Sequence, residues 1–250
     1  MVKPEDIKAV LPCVFPNPDP IWMMLASCRR FGIEPKLFGL GETYAGWLDL
    51  KITKLLKVAQ EVEAEGCTHL LYTDARDAWF CAGLDEIADK YNEMGAPDIL
   101  LSAQRRRFAG GYKEWYDMVE WDEKQYCSYL GTPGQLASVG ALQATLKWMA
   151  EQQAGYPDDD PAPWCHYIST FPGNVALDHD CRIFMNVGDM DSGEWDIRES
   201  RAYNKVSRQT PCVLHFNGGG SDWLKGKWDS LERHWRQFGY KEEPPWTQNK

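Results

Sequence analysis

The 250-residue sequence has no apolar run long enough to cross a bilayer. Its longest stretches, such as Ile21 to Ser27 and His69 to Tyr72, fall far short of the roughly 18 to 20 residues a spanning helix needs. No membrane segment is expected. The first residues, Met1-Val2-Lys3-Pro4-Glu5-Asp6, carry acids where a secretory signal has a basic region followed by an apolar one, which predicts a cytoplasmic protein. None of the eight cysteines (Cys13, Cys28, Cys67, Cys81, Cys127, Cys165, Cys181, Cys212) belongs to a Cys-x-x-Cys pair. That speaks against a zinc ribbon or a dithiol redox motif and predicts buried free thiols. Internal repeats and low-complexity tracts are also missing. What remains is an average globular composition, 44% apolar, 13% aromatic and 26% charged, so disordered and collagen-like classes are excluded. A chain of this length buries a core without disulfide or metal staples. One domain over residues 1–240 and a tail over 241–250 are expected.

The formal net charge of −10 is unevenly spread. Residues 1–195 hold 17 Lys/Arg against 30 Asp/Glu, whereas residues 196–241 hold 9 against 5. A basic segment on an acidic body permits a phosphate-contacting surface; the competing reading is an ordinary solvated helix and loop.

Segments of β and helical character alternate through the first half. Ile7 to Leu11 reads as a strand and Ile21 to Phe31 as a helix. A second helix is predicted from Leu50 to Ala64, where Ile52, Leu55, Leu56, Ala59 and Val62 recur at helical spacing, with Gly66 ending it. His69 to Tyr72 is a short buried strand, a helix follows with Leu84, Ile87, Ala88 and Tyr91 on one face, and Asp98 to Ser102 is another strand. This order predicts an α/β fold with a mainly parallel central sheet flanked by helices. Further on, Gly134 to Gln152 reads as a helix with Leu136, Val139, Leu146 and Met149 inward, and 182–185 and 211–215 read as strands. Pro/Gly clusters mark loops at 157–163, 172–174 and 217–220.

Three places invite chemistry. Thr73-Asp74-Ala75-Arg76-Asp77 directly follows a strand, and ligands of open α/β sheets bind beyond the carboxyl ends of strands. Two carboxylates there can share a divalent cation with a diphosphate, although a lone Asp-x-x-Asp is equally a capped turn. Leu214-His215-Phe216-Asn217-Gly218-Gly219-Gly220 places an imidazole before a glycine-rich turn whose amides can cradle phosphate oxygens; a core-edge histidine before a flexible turn is the alternative. Asp158-Asp159-Asp160 stands among prolines and, taken alone, reads as a solvated loop.

These stretches occur in order with Leu37-Phe38-Gly39-Leu40-Gly41-Glu42, with Lys51 in the next helix, and with Leu177-Asp178-His179-Asp180-Cys181-Arg182-Ile183-Phe184. Together they resemble the glycosyltransferase domain of the collagen lysyl hydroxylases and their stand-alone viral and microbial relatives, over roughly residues 7–223. The resemblance implies a GT-A fold that uses a nucleotide sugar, typically a UDP-hexose, with Mn²⁺ (or Mg²⁺). It assigns Asp74, Asp77 and His215 to the metal, Lys51, Asn217, Gly218 and Gly219 to the donor, and Asp158, Asp159 and Asp160 to the transfer pocket. Two departures stand out. Arg76 occupies the place of an aromatic residue expected to stack on uracil, and Gly131-Thr132-Pro133-Gly134 replaces an Asn-Ser-Gly-Gly stretch. A guanidinium plane also stacks.

For the acceptor, the stand-alone phage relatives imply a 5-hydroxymethylpyrimidine in DNA. Arg105-Arg106-Arg107 with Phe108, Tyr112, Trp115 and Tyr116, and the basic 196–241 segment with Trp223, Trp228 and Trp235, suit phosphate contact plus stacking on an exposed base. A hydroxyl of hydroxylysine or of a glycan is the alternative acceptor. An arginine run that pairs with the acidic body is the plainer reading of 105–107. A non-catalytic nucleotide-sugar or carbohydrate binding module is the alternative to an enzyme.

Overall fold

In the computed structural model of the chain, residues 1–107, 113–191, 193–216 and 233–242 are described. The first half runs β1 (Ile7–Pro12), α1 (Trp22–Arg30), β2 (Lys36–Phe38), a wide helical turn at Asp49–Lys54 that continues into α2 (Leu55–Ala64), then β3 (His69–Thr73) and β4 (Ala78–Phe80). It continues with α3 (Leu84–Glu93), β5 (Ile99–Gln104) and α4 (Lys113–Tyr116). The second half holds β6 (Tyr129–Ser138), α5 (Val139–Glu151), α6 (Pro161–Thr170), β7 (Ala176–Asp178), β8 (Phe184–Asn186), the hairpin β9 (Trp195–Arg198) and β10 (Arg201–Asn204), and β11 (Val213–His215). No described helix is long and apolar enough to cross a membrane.

The main sheet has the order β2-β1-β3-β6-β5-β7. The pairs β1–β2, β1–β3 and β5–β7 are parallel, and β6 runs antiparallel to both β3 and β5. Its strands are covered on both faces, because successive side chains point to opposite sides. Val10, Leu70, Tyr72, Ile99, Leu101 and Ala137 join α2, α5 and α6 in one apolar cluster. Ala9, Leu11, Leu71, Leu100 and Leu136 join α1 and α3 in another. A mainly parallel sheet flanked by helices is therefore what forms.

The helix expected from Gly134 to Gln152 begins only at Val139, and its first five positions belong to β6. Leu136 is inward as expected, but it packs into the α1/α3 cluster, on the opposite face from Val139, Leu146 and Met149. Gln135 to Ala137 pair with β3 on one side and β5 on the other, and two ladders of backbone hydrogen bonds override a helical spacing. Gly134 also admits no side chain, since a Cβ there would lie 2.4 Å from the Phe184 ring. The loop expected over 157–163 ends earlier, because Pro161 opens α6 at a position that needs no N–H donor. Arg182 and Ile183 form a turn rather than a strand: with Phe184, their amides donate to the buried Asp178 carboxylate at 2.8 Å.

A second sheet, β4-β11-β8, positions the chemistry. Its register sets His215 opposite Ala78 on one side and Asn186 on the other.

Candidate functional site

Asp74 follows β3 directly, and its amide donates to the Pro133 carbonyl at 2.9 Å. The Tyr72 hydroxyl donates to Asp74 Oδ1 at 2.7 Å, fixing the carboxylate from behind. Asp77 immediately precedes β4, so the pairing of Ala78 with His215 brings its carboxylate to the imidazole. His215 Nε2 stands 3.2 Å from Asp77 Oδ1 and 3.8 Å from Asp74 Oδ2. Three residues that span more than half of the chain thus meet where the two sheets adjoin. Arg76 is exposed on the turn between the two aspartates.

The orientation of the imidazole is set by Asn186, which the sequence reading missed. The Asn186 amide nitrogen donates to Ala103 O at 2.9 Å and approaches Ser102 Oγ at 3.4 Å, so its oxygen faces His215 Nδ1 at 3.1 Å. Nδ1 therefore carries a hydrogen and donates it, which turns Nε2 toward the two carboxylates. A nitrogen lone pair aimed at two anions is favourable only with positive charge between them, supplied by a ring proton or a bound cation. Two carboxylates and one imidazole are a donor set for a divalent ion such as Mn²⁺ or Mg²⁺. Among the described residues no three such side chains form a ready-made cage. Asp74 and Asp77 converge on His215 instead, with Asp74 shared with a lysine.

That lysine is Lys51. Only 4% exposed, it lies 3.1 Å from Asp74 Oδ1 and 2.5 Å from Asp160 Oδ2. Burial works against the ammonium, yet the Asp160 and Asp74 carboxylates hold its pKa well above the ordinary lysine value. Against the cost of its own burial, Asp160 is brought down to about 2 by Lys51 and by side-chain hydrogen bonding with Asp159 and Thr132. Thr132, one of the departures from the family pattern, donates to the same Asp160 oxygen that Lys51 contacts. Lys51 also sits 4.9 Å from the centre of the Trp47 ring.

The three consecutive aspartates take different partners. Asp160 faces Lys51, whereas Asp158 accepts the Leu48 amide at 3.1 Å. Gly46 is required there: its φ is +116°, and a Cβ would lie 2.7 Å from the Asp158 carboxylate oxygens. Asp159 is buried and accepts the Asp160 amide at 2.6 Å. Beside Asp158, the exposed Tyr44 and Trp47 pack edge to face at 5.6 Å. The Tyr44 hydroxyl is pushed up to about 12 by partial burial and by Asp158. Asn217, Gly218 and Gly219 lie outside the described residues.

The basic motifs fare differently. Arg105 pairs with Glu194 at 2.5 Å and Asp191 at 3.1 Å, Arg106 with Asp191 at 2.6 Å, and Arg107 with Asp117 at 2.5 Å. The run is thus engaged by the acidic body. Two of the aromatics expected to be available for stacking are core residues. Tyr116 is fully buried with its hydroxyl on Leu130 O, and Trp235 is fully buried against Trp22 and Trp79. Phe108, Tyr112, Trp223 and Trp228 lie outside the described residues.

Tyr72 and Asn186 carried no sequence signal by themselves. Tyr72 reaches Asp74 from two residues back on β3, and Asn186 reaches His215 from the neighbouring strand β8.

Comparison with known proteins identifies the family. The family model described as the PLOD GT domain matches residues 17–237. Procollagen-lysine,2-oxoglutarate 5-dioxygenase 1 of Bos taurus is 25% identical over 248 residues, covering 93% of this chain and 33% of its own length. The Homo sapiens protein of the same name is 26% identical over 251 residues, with the same coverage. The chain therefore spans about a third of the length of these relatives. A solved structure, a glycosyltransferase involved in the glycosylation of the major capsid of PBCV-1, superposes with a TM-score of 0.56 at 11% identity, covering 90% of this chain and 98% of its own. It shares the fold. With the family model covering most of the sequence, and the fold that of a glycosyltransferase, the chain belongs to the PLOD GT domain family of glycosyltransferases.

Proposed function

We propose that the chain moves a hexose from a UDP-sugar to an acceptor hydroxyl with the help of a divalent cation, Mn²⁺ or Mg²⁺. The observation that carries this reading is His215, anchored through Nδ1 by Asn186 and aiming Nε2 at Asp77 and Asp74. Asp74, Asp77 and His215 would hold the cation, which when bound acts as a Lewis acid on the departing diphosphate. Lys51, fixed between Asp74 and Asp160, offers a permanent positive charge to the same phosphates, where negative charge accumulates during transfer. The amides of Asn217, Gly218 and Gly219 would cradle them, and Arg76 would lie against the nucleobase. Asp160, paired with Lys51, is a weak base and serves to hold the lysine. Asp158 and Asp159 are left to orient the acceptor hydroxyl or take its proton, a role that geometry decides before pKa.

The acceptor we propose is a 5-hydroxymethylpyrimidine in DNA, which places the reaction in the cytoplasm, of a host cell if the protein is viral. A second reading, transfer to hydroxylysine or to a glycan, is favoured by one observation. Arg105, Arg106 and Arg107 are ion-paired within the chain and do not present a bare phosphate-binding surface. An acceptor screen by mass spectrometry tests both. The chain is supplied with Mn²⁺ and a panel of UDP-sugars, together with DNA containing hydroxymethylcytosine or hydroxymethyluracil and, separately, a hydroxylysine peptide. A hexose mass gain on the DNA supports the first reading, and a gain only on the peptide replaces it with the second. Absence of donor hydrolysis at any Mn²⁺ concentration would reduce the chain to a binding module.

A further inference from the structure

Cys127 and Cys181 are both buried in an apolar cluster apart from the site, and their Sγ atoms lie 3.5 Å apart. They come from separate segments: Cys127 just precedes β6, and Cys181 sits in the turn between β7 and β8. Hydrogen bonds clamp those segments together. The Cys127 amide donates to His179 O at 3.1 Å, and His179 Nδ1 donates to the Cys127 carbonyl at 2.6 Å. The turn is fixed in its own right by Asp178, whose carboxylate accepts the amides of Arg182, Ile183 and Phe184. Within it Cys181 takes φ +57°, a left-handed conformation that a residue with a side chain keeps only where its surroundings impose it. A bond between them requires closure of the sulfur–sulfur gap from 3.5 Å to about 2 Å.

We propose that Cys127 and Cys181 are a disulfide-forming pair, oxidised by exchange with a small-molecule disulfide such as oxidised glutathione. One protein thiol, as its thiolate, attacks a sulfur of glutathione disulfide, forming a mixed disulfide and expelling one glutathione thiolate. The second protein thiolate attacks the protein sulfur of that mixed bond, forming the Cys127–Cys181 bond and expelling the second glutathione. The two protons lost by the cysteines end on the two glutathione thiols, and the two electrons reduce the glutathione disulfide. Because both sulfurs are buried, exchange takes place during folding or through local opening of this cluster. The bond would close a loop that contains Thr132 and Asp158 to Asp160. It would also tie down the turn that leads to Asn186, the residue that orients His215. An oxidised pair is rare in a reducing cytoplasm, so its redox state also reports on the compartment in which the chain folds.

The test uses the full chain, unfolded and then refolded either in a glutathione redox buffer or with a strong reductant. Thiols are counted after denaturation, and intact mass is recorded. The material refolded in redox buffer should lose two of its eight thiols and the mass of two hydrogens. Its unreduced digest should link the peptides of Cys127 and Cys181, and it should melt at a higher temperature than the reduced form. Cys181→Ala, refolded in the same buffer, should keep all its remaining thiols. If that variant does not fold, the two preparations of the unmutated chain decide the matter alone. Eight thiols after oxidative refolding, or a bond joining other cysteines such as Cys81 and Cys212, would overturn the proposal.

Discussion

The chain carries two acidic motifs, and the structure treats them in opposite ways. Asp74 and Asp77, three positions apart in sequence, converge on one imidazole. Asp158, Asp159 and Asp160 are adjacent and take different partners: Asp160 pairs with a lysine, Asp158 accepts the Leu48 amide and Asp159 accepts the Asp160 amide. The difference lies in what flanks them. Asp74 directly follows one strand and Asp77 directly precedes the next, so the pairing of β3 with β6 in one sheet and of β4 with β11 in the other aims both carboxylates at the junction. The second motif lies in a loop that ends on a helix, and no strand pairing aligns its side chains.

Substitution at Asp77 should separate the motifs most sharply. Asp77→Asn is expected to lower metal-dependent donor turnover by about 100- to 1,000-fold with an unchanged melting temperature. Steady-state hydrolysis of the UDP-sugar against Mn²⁺ concentration checks it, and full activity would remove the first motif from the chemistry. Lys51→Met should do a different kind of damage. It leaves Asp74 and Asp160 partly buried without their cation, at a cost of about 3–5 kcal/mol in chemical denaturation. Adding Asp160→Asn should restore much of that stability without restoring turnover, a separation that a purely structural lysine would not show.

An ion pair away from the site offers a contrast in pH. Partial burial alone would raise the Glu86 pKa, but Arg201 at 2.6 Å and Lys90 at 2.7 Å bring it from 4.5 down to about 2. A depressed folded pKa means the contribution is complete above the ordinary carboxyl value and is lost as the pH falls from about 4.5 toward 2. Arg201→Met should flatten that part of the stability–pH curve, measured by denaturant titration at several pH values.

Asp158→Ala should cost about 1 kcal/mol through the lost Leu48 amide contact. If Asp158 handles the acceptor, transfer falls while donor hydrolysis persists. The smallest effect is expected at Arg105 to Arg107. Charge reversal there should raise the KM for a DNA acceptor only modestly and lessen its salt dependence, because these guanidiniums already have carboxylate partners. A large rise in KM would restore the run as a docking surface.

Periodicity was enough to foresee β1, α1, α2, β3, α3 and β5, because each buries a regular set of apolar residues. It misread Gly134 to Ser138, where Leu136 fits a helical face and a strand face equally well and only the gap between β3 and β5 chooses. It gave no sign of β2 or β4, three residues each, too short to show a period. The site residues Asp74, Asp77, His215 and Lys51 were legible because they stand at strand ends or in motifs that resemble a known family.

Sequence alone therefore determined the α/β class, the family and the residue types at the centre, since these depend on local pattern and composition. Tertiary structure decided which of those residues meet. The register of β11 against β4 and β8 brings His215 to Asp77 across more than a hundred residues of chain, and to Asn186 across 29. A shift of that register by one residue would turn the imidazole to the other face of the sheet, and such a long-range choice is written in no single segment.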